Sequence, residues 1–348
     1  MPLVKVDPPI VGTTVLDYDP MLEVYRDVLY VPAGVAGWPC GIYDRGRKLI
    51  AAATHFRGGA DVAPIFSPYT ITNDITSAPR ADQKEPFFFL GHIPTHYGHF
   101  LTIALARLWP MRFERDHQIK FITTDNIIRD FGSFPYMREI FYQLGIGQHE
   151  IMNFDRPVWI NELIVPSPCF EENNFGHSVF YRLCKRIGWS LTNNIPKKQN
   201  DRPVYFSKHR LSQGVSHIIN EVHFCEILEK HGFDIIFPED LTFIEQVLLV
   251  QEREVLTGSV GSAFHTTLFA EQPKKIVGMT HVNTYTENQV IIDKLVGNNV
   301  SYLYPMHDIE PVKIEENKYK ESFHLSFKLI NPKKTAYEFI NIVELNVY

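Results

Sequence analysis

The amino-acid sequence predicts an α/β protein built of two Rossmann-like domains. Its 348 residues suffice for two domains that each bury a core. From residue 204 onward, short apolar segments alternate with segments of helical length, which is the pattern of a doubly wound parallel sheet. A less regular alternation of the same kind runs from residue 87 to residue 191. Both halves of the chain therefore favour sheets covered by helices.

The first 85 residues are rich in Pro, Gly and Thr, and their short apolar runs, such as 27–31 and 48–53, predict short strands joined by turns. The pattern becomes clearer at 87–90, a short apolar strand, which a turn connects to a helix over 96–109 that Pro110 should end. The remaining predicted elements of this half are strands over 120–124 and 162–166 and helices over 136–144 and 179–191.

A polar segment with two prolines, 192–203, has the composition of an interdomain linker. We therefore expect an N-terminal acceptor-side domain over 1–195 and a C-terminal domain over 196–348. The C-terminal domain should contain strands over 204–207, 234–237, 254–257 and 275–279, separated by helices over 220–230, 242–251 and 262–271. Ligands bind at the carboxyl ends of the strands in such sheets, so the loops 207–211, 238–242 and 258–262 should share one edge.

Charge and cysteine content exclude several classes of protein. The chain has 34 Lys and Arg against 40 Asp and Glu, a net charge of -6, and no long basic run, which argues against a nucleic-acid partner. Its four Cys are scattered, which argues against a zinc ribbon or a disulfide framework and favours a reducing compartment. The N-terminal residues lack a signal-peptide pattern and no long apolar run occurs, so we expect a cytoplasmic protein that reaches any lipid-linked partner from the membrane surface.

The segment TGSVGSAFH runs from a predicted strand through two glycines into a predicted helix. Gly258 and Gly261 permit backbone torsions that other residues avoid. The amides of Ser262, Ala263 and Phe264 would then point from the helix start toward an anion such as a diphosphate. The alternative is a glycine turn followed by a Ser N-cap, which needs no ligand.

A cationic loop follows the first strand of the same domain, with the sequence Ser207-Lys208-His209-Arg210. Arg can hold phosphate oxygens in a planar fork and Lys can act as a point charge. Solvated surface charge is the alternative. Together with the glycine loop on the same edge, this loop predicts a site for a nucleotide diphosphate.

Thr242 and Glu245 are spaced as a capping box, which by itself explains both residues. The functional alternative is that Glu245 or the nearby Glu239 accepts hydrogen bonds from ribose hydroxyls, as acidic residues do in nucleotide-binding folds. Both interpretations stay open at this point.

Three histidines, His92, His96 and His99, surround the predicted helix start in GHIPTHYGHFL. Histidine is the side chain best suited to take a proton from a hydroxyl near neutral pH. His96 and His99 share a helical face, but no Cys or acidic residue stands at a matching spacing, so no metal site is expected. His92 is expected to cap or pack the helix.

These segments together resemble glycosyltransferase family 61. The resemblance rests on Ser207-Lys208, on Asn220-Glu221 at a helix start, on HGFDIIFPEDLTFIEQ over 231–246, on the glycine loop 258–263, and on HYGHFL over 96–101, in which His99 matches the family's His. It implies a GT-B fold, a nucleotide-sugar donor for which UDP is the favoured nucleotide, inversion at the anomeric carbon, and no divalent cation or other cofactor. Asn220, Glu221 and Gln246 would belong to the donor site.

The chain departs from the family pattern at a few positions. Val260 stands where many members have His, Ser216 and His217 where many have Arg, and His265 where Thr or Ser is common. His265, near the helix start, could supply part of the lost phosphate contact.

The resemblance implies an inverting glycosyltransferase of surface polysaccharide synthesis, such as capsule or lipopolysaccharide, with a glycan or lipid-linked acceptor. His99 is the first choice for the base and His96 the second. Lys208, Arg210, His265 and the amides after Gly261 would neutralise the departing diphosphate in place of a metal ion. Two alternatives are a nucleotide-sugar epimerase on the same fold and a non-catalytic glycan-binding or scaffolding subunit.

Overall fold

The computed structural model of the protein describes residues 3–58, 62–65, 67–112, 119–125, 132–313 and 323–347. The chain divides into two compact units. The N-terminal unit is Val11–Ser190, and the C-terminal unit combines Met1–Ile10 with Leu191–Tyr348. The expected boundary at 195/196 lies in the irregular segment that follows this division.

The described strands, in chain order, are β1 Leu3–Lys5, β2 Thr14–Leu16, β3 Leu22–Val31, β4 Gly41–Tyr43, β5 Phe87–Gly91, β6 Lys120–Thr123, β7 Ile151–Met152, β8 Val158–Pro166, β9 Phe170–Glu171, β10 Phe175–His177, β11 Val204–Phe206, β12 Gly214–Ile218, β13 Asp234–Ile236, β14 Val255–Ser259, β15 Lys275–Met279, β16 Asn299–Pro305, β17 Ile309–Pro311 and β18 Phe323–Leu329. The described α-helices are α1 Tyr97–His99, α2 Pro135–Gln143, α3 Ser178–Thr192, α4 Glu221–Lys230, α5 Phe243–Glu252, α6 Glu287–Val296 and α7 Pro332–Val347.

The N-terminal unit is built on a mixed sheet with the order β4-β3-β8-β5-β6-β7. Strands β8, β5, β6 and β7 are parallel, whereas β3 runs antiparallel to both β8 and β4. The sheet is thus less parallel than expected, because residues before 85 supply the long strand β3. Strand β5 is buried along its whole length, as its apolar run FFFLG requires.

The C-terminal unit contains a sheet with the order β1-β16-β15-β14-β11-β13. All neighbours from β16 to β13 are parallel, and only β1 pairs antiparallel. Successive residues of β11 enter different cores: Tyr205 packs with Phe224 of α4 and Phe339 of α7, whereas Phe206 packs among residues of α5 and α6. Helices therefore cover both faces of this sheet, and the predicted α/β class is confirmed.

Three expectations about local structure are wrong. Residues 51–53, predicted as part of a strand, form a 3-10 turn, since three alanines offer no β-branched side chain to a sheet. The helix after Gly261 is a 3-10 helix, Ser262–Phe269, in which the Thr267 hydroxyl donates to the Phe264 carbonyl.

The predicted helix over 96–109 is instead a chain of three helical turns that ends at Arg107: α1, a π turn at Phe100–Ala104 and a 3-10 turn at Leu105–Arg107. Inside it, the Thr102 hydroxyl oxygen lies 3.0 Å from the carbonyl oxygen of Gly98, one turn earlier in the helix. Pro110 lies within a further 3-10 turn, Trp109–Arg112, so it does not end the helix.

Candidate active site

The glycine loop after β14 is shaped by its contacts with β11. Gly258 pairs with Phe206 and has φ of +151°, and a Cβ there would lie 2.6 Å from the Phe206 carbonyl oxygen. Only glycine fits this close approach. At Gly261 a Cβ would lie 2.7 Å from Nζ of Lys208, so this glycine leaves room for the lysine.

Lys208 connects the two loops that the sequence placed on one edge. Its Nζ donates to the Val260 carbonyl at 2.6 Å. Burial lowers the pKa of Lys208, and the charge of Glu221 opposes this shift. The ammonium group is therefore fixed against the glycine loop.

Glu221, in the first turn of α4, is fully buried and accepts hydrogen bonds from residues at the carboxyl edge of the sheet. One carboxylate oxygen accepts hydrogen bonds from the Tyr205 hydroxyl at 2.9 Å and the Ser259 hydroxyl at 2.6 Å. The other accepts from the Ser207 hydroxyl at 2.9 Å and the Lys208 amide at 2.8 Å. Glu221 thus fixes the loop that carries Lys208, and a direct ligand contact would have to displace one of these donors.

Arg210 joins the third loop to the same edge. Its guanidinium lies 3.7 Å from the centre of the Phe237 ring and 3.3 Å from an Asp240 oxygen, and the side chain is exposed. The loop 207–211 therefore contacts both of the other loops, 238–242 and 258–262, as expected.

Of the two acidic candidates in this region, Glu245 has a structural partner and Glu239 is exposed. The Thr242 amide donates to Glu245 at 2.8 Å and the Glu245 amide donates to the Thr242 hydroxyl at 3.3 Å, so the predicted capping box is present. The Gln246 side chain donates to the Pro238 carbonyl at 2.9 Å and thereby holds the turn that presents the exposed Glu239.

Asn220 connects the start of α4 to β18, because its side chain donates to the Leu329 carbonyl at 2.8 Å and accepts from the Leu329 amide at 2.9 Å. At the 3-10 helix start, the Phe264 amide donates to the Gly261 carbonyl at 3.1 Å and is therefore used within the turn. Ser262 and Ala263 are half-buried there, and His265 is buried.

Sequence reasoning did not single out His281, which follows β15. Its Nδ1 lies 3.4 Å from the Ser216 hydroxyl, and its ring packs on Phe327. Burial, followed by the charge of Lys208, lowers the pKa of His281 to about 4. A histidine two residues after a predicted parallel strand was the available signal.

In the N-terminal unit, His99 forms a close pair with a buried carboxylate. Its Nδ1 lies 2.7 Å from Oε1 of Glu172, which also accepts from the Thr102 hydroxyl at 2.7 Å. Burial alone would raise the pKa of Glu172, but the bonds from His99 and Thr102 and the charge of Arg57 lower it to about 2. A charged carboxylate only accepts, so Nδ1 donates, and Nε2 is the ring atom at which a proton can be taken up.

Glu172 is the acidic partner that the sequence did not reveal. It is 73 residues from His99 in the chain and lies between β9 and β10. Its side chain is only 2% exposed. The sequence indicates an acidic partner here only by placing two adjacent acidic residues, Glu171 and Glu172, in a segment that is buried in the structure.

The other two histidines differ from each other. The ring of His96 lies 5.1 Å from that of His99, and burial and the His99 charge lower the pKa of His96. His92, expected only to cap or pack the helix, has Nδ1 2.7 Å from Asp125 Oδ1, and the Ile93 amide donates to the second oxygen of Asp125. His92 and His99 thus each contact a carboxylate through Nδ1.

In the described part of the chain, no three His, Cys, Asp or Glu side chains are grouped as metal ligands would be. The described helices also include none that is long and apolar enough to cross a bilayer. The expectation that no metal or other cofactor takes part stays a prediction.

Comparison with known proteins adds one strong match. The family model described as glycosyltransferase 61 matches residues 97–277, a little more than half of the chain, and this range includes His99, Glu172 and the glycine loop. Curated proteins give no match. Among solved structures, the chain is similar to a dodecameric iron-containing heptosyltransferase, TibC, in complex with ADP-D-beta-D-heptose, at 11% identity over 79% of this chain and 81% of that chain. The TM-score of 0.26 does not establish a common fold.

Proposed function

Because the chain belongs to glycosyltransferase family 61 and is therefore a glycosyltransferase, we propose that it transfers a sugar from a nucleotide-sugar donor to a hydroxyl of a glycan or glycoconjugate, with inversion at the anomeric carbon. The C-terminal unit binds the nucleotide diphosphate and the N-terminal unit supplies the base. A two-domain GT-B architecture, expected from the family resemblance, is part of the same proposal.

His99 is the base, and the observation that carries this assignment is its 2.7 Å contact with Glu172. The acceptor hydroxyl donates its hydrogen bond to Nε2. As the acceptor oxygen forms its bond to the anomeric carbon and the bond to the diphosphate breaks, the proton moves to Nε2. The Glu172 carboxylate orients the ring and stabilises the imidazolium that results. His96 is the second choice for the base.

The departing diphosphate is stabilised by cations and amides of the C-terminal unit. Lys208 lies against the glycine loop, and Arg210 lies on the same edge with an exposed guanidinium. His265 and the amides of Ser262 and Ala263 complete the group, in the role that a metal ion plays in other transferases. Glu221 positions Lys208 by accepting a hydrogen bond from its main-chain amide.

The donor is a UDP-linked sugar in this proposal, and the acceptor is a glycan or lipid-linked intermediate of a surface polysaccharide such as capsule or lipopolysaccharide. The reaction takes place in the cytoplasm, with access to lipid-linked acceptors from the membrane surface.

The decisive experiment combines binding and turnover. UDP, GDP, ADP and their sugars are screened by thermal shift, since a ligand that binds only the native state raises its stability. Donors that bind are then incubated with and without glycan acceptors, for the wild-type enzyme and for His99→Ala, and the nucleotide release that depends on the acceptor is followed.

Nucleotide release that His99→Ala abolishes without loss of nucleotide affinity supports the proposal. Conversion of the donor to a new sugar nucleotide without release of UDP would instead indicate an epimerase. A chain that binds none of the nucleotides would have no donor site of the proposed kind.

A further inference from the structure

The N-terminal unit contains a cavity of about 190 Å³. Gly91, the last residue of β5, and His92, which follows it, form part of its wall, together with Thr124 and Asp125, which follow β6. The volume equals that of about six water molecules in the liquid and is below the roughly 300–1,000 Å³ of pockets for drug-sized ligands. The cavity therefore suits one sugar ring and is too small for a nucleotide.

The wall of this cavity has the composition expected of a site for a polyhydroxyl ligand. Hydroxyl, imidazole and carboxylate groups can each exchange hydrogen bonds with sugar hydroxyls. The residues of these types in the wall are Thr54, His55, Ser67, His92, Thr124 and Asp125. Phe89 and Ile103 supply apolar surface.

The charged groups of the wall favour a neutral ligand. Arg107 is buried, and its terminal nitrogens donate to the main-chain carbonyls of Ala52, Thr54 and Pro166 at 2.6–2.7 Å. The guanidinium is thus engaged in holding the wall together and is not arranged as a fork for an anion. The carboxylate of Asp125 supplies a charge of opposite sign in the same wall.

The cavity also lies next to the pair assigned to catalysis. His55 lines the cavity, and its Nε2 lies 4.0 Å from Oε2 of Glu172, the partner of His99. Burial lowers the pKa of His55 to about 4, so its ring is neutral at physiological pH and can bind a hydroxyl without bringing a charge. One residue thus separates the cavity from the carboxylate that orients the base.

We propose that this cavity is the acceptor subsite and holds one neutral sugar residue, whose hydroxyls bind the His92–Asp125 pair and the hydroxyl groups of the wall. The inference rests on the proposed function and extends it by naming the class of acceptor. In this proposal His92 binds the acceptor sugar, whereas His99 acts as the general base.

Saturation-transfer NMR with the full-length protein tests this assignment. The ligands are the methyl glycosides of glucose, galactose and mannose, each in separate samples, with UDP added as a reporter of the donor site.

Ala33 lines the cavity and its amide donates to the Thr124 carbonyl, so Ala33→Leu fills the space without removing a described side-chain bond. Ala33→Ser is the matched control, and Ser67→Leu is a second filling variant if Ala33→Leu does not fold.

At least one methyl glycoside should bind the wild type and the Ala33→Ser variant, and its affinity should fall by about tenfold or more in a filling variant that still binds UDP. Equal glycoside binding by a folded filling variant would overturn the proposal. Binding of methyl glucuronoside or inorganic phosphate in preference to every neutral glycoside would overturn the assigned ligand class, as would the absence of glycoside binding to a wild type that binds UDP. Absence of the UDP signal itself would count against the donor site and not against the cavity, since glycoside binding is read independently.

Discussion

Two buried glutamates, one in each compact unit, occupy comparable surroundings but have different partners. Glu221 accepts hydrogen bonds from three hydroxyls and one main-chain amide. Glu172 accepts from one hydroxyl and from the imidazole of His99, whose side chain is 41% exposed.

In the proposed function the two carboxylates have different roles, one in maintaining structure and one in proton transfer. The four donors of Glu221 have no function in proton transfer, so its burial serves to hold the strand ends and the Lys208 loop. The partner of Glu172 can gain a proton at its second nitrogen, and the carboxylate then stabilises the charge that develops. Burial of an acidic side chain alone therefore does not distinguish the two proposed roles, whereas the chemistry of its hydrogen-bond partners does.

The largest expected effect is that of His99→Ala on turnover. Loss of a general base should lower kcat by about 10²–10⁴-fold while the UDP affinity stays close to that of the wild type. The melting temperature should fall moderately, because the buried Glu172 loses one of its donors. His149→Ala, at an exposed position in a separate 3-10 turn, is the matched control and should leave kcat unchanged. A destabilised His99→Ala protein whose folded fraction retains full turnover would move the assignment to His96.

Glu221→Ala should instead reduce stability. Removing the carboxylate leaves four buried donors without their acceptor, and we expect the free energy of unfolding to fall by about 3–4 kcal/mol. Urea unfolding measures this change. Glu226→Ala, on the exposed face of the same helix, should stay within about 0.5 kcal/mol of the wild type. Equal losses in the two variants would remove the structural role assigned to Glu221.

Asp293 provides a third buried carboxylate, and its partners are neutral like those of Glu221. Burial raises the pKa of Asp293 to about 6, against the bonds from Asn298, Tyr302 and Gln289 that lower it. A raised native pKa means that the folded state binds the proton more tightly than the unfolded chain, so stability is highest below about pH 4 for this group and falls as the pH rises to about 6.

The fall over this window should amount to about 3 kcal/mol, since one pKa unit corresponds to about 1.4 kcal/mol. Asp293→Asn should remove this component, and the difference between the two unfolding curves measured from pH 4 to pH 7 isolates it from other groups. Parallel curves would show that Asp293 is charged in the folded protein throughout.

Glu172→Gln tests the proposed role of the Glu172 carboxylate in proton transfer. The amide keeps the shape of the side chain but no longer stabilises the imidazolium, so kcat should fall by about 10²-fold with little change in KM. Thr102→Val removes the second described donor to the same oxygen without touching the imidazole, and should lower stability but not kcat. In the His99→Ala background, Glu172→Gln should produce no further loss of kcat, because the two residues act as a unit.

The sequence predicted those parts of the molecule that depend on local pattern. Strand β15 has the predicted bounds, and the capping box at Thr242 is present, because both follow from apolar runs and spacing within a few residues. The glycine loop and the Lys208 loop meet because parallel strands share their carboxyl ends. These features needed no knowledge of distant contacts.

The imidazole–carboxylate pairs could not be predicted in the same way. Glu172 reaches His99 only because β9 packs beside the helical segment 97–107, and Asp125 reaches His92 because β5 and β6 are neighbours. Each pairing depends on strand order, which apolar periodicity does not encode. The antiparallel addition of β1 to the C-terminal sheet escaped prediction for the same reason.

The smallest expected effects concern the two cations of the donor edge, and they sharpen the view of Glu221 as a positioning group. Lys208→Ala should weaken UDP binding by about 1.5–3 kcal/mol, the range for a hydrogen bond to a charged group. Arg210→Ala should fall at the lower end of the same range, because its guanidinium is exposed and is shared with Asp240. Isothermal titration with UDP gives both values, with Lys230→Ala at the exposed end of α4 as the control that should bind like the wild type.

Unchanged UDP affinity in both variants would remove Lys208 and Arg210 from the proposed donor site and would leave Glu221 with a purely structural role. A loss for Arg210→Ala alone would show that the Lys208 ammonium, held on the Val260 carbonyl, serves the loop and not the ligand.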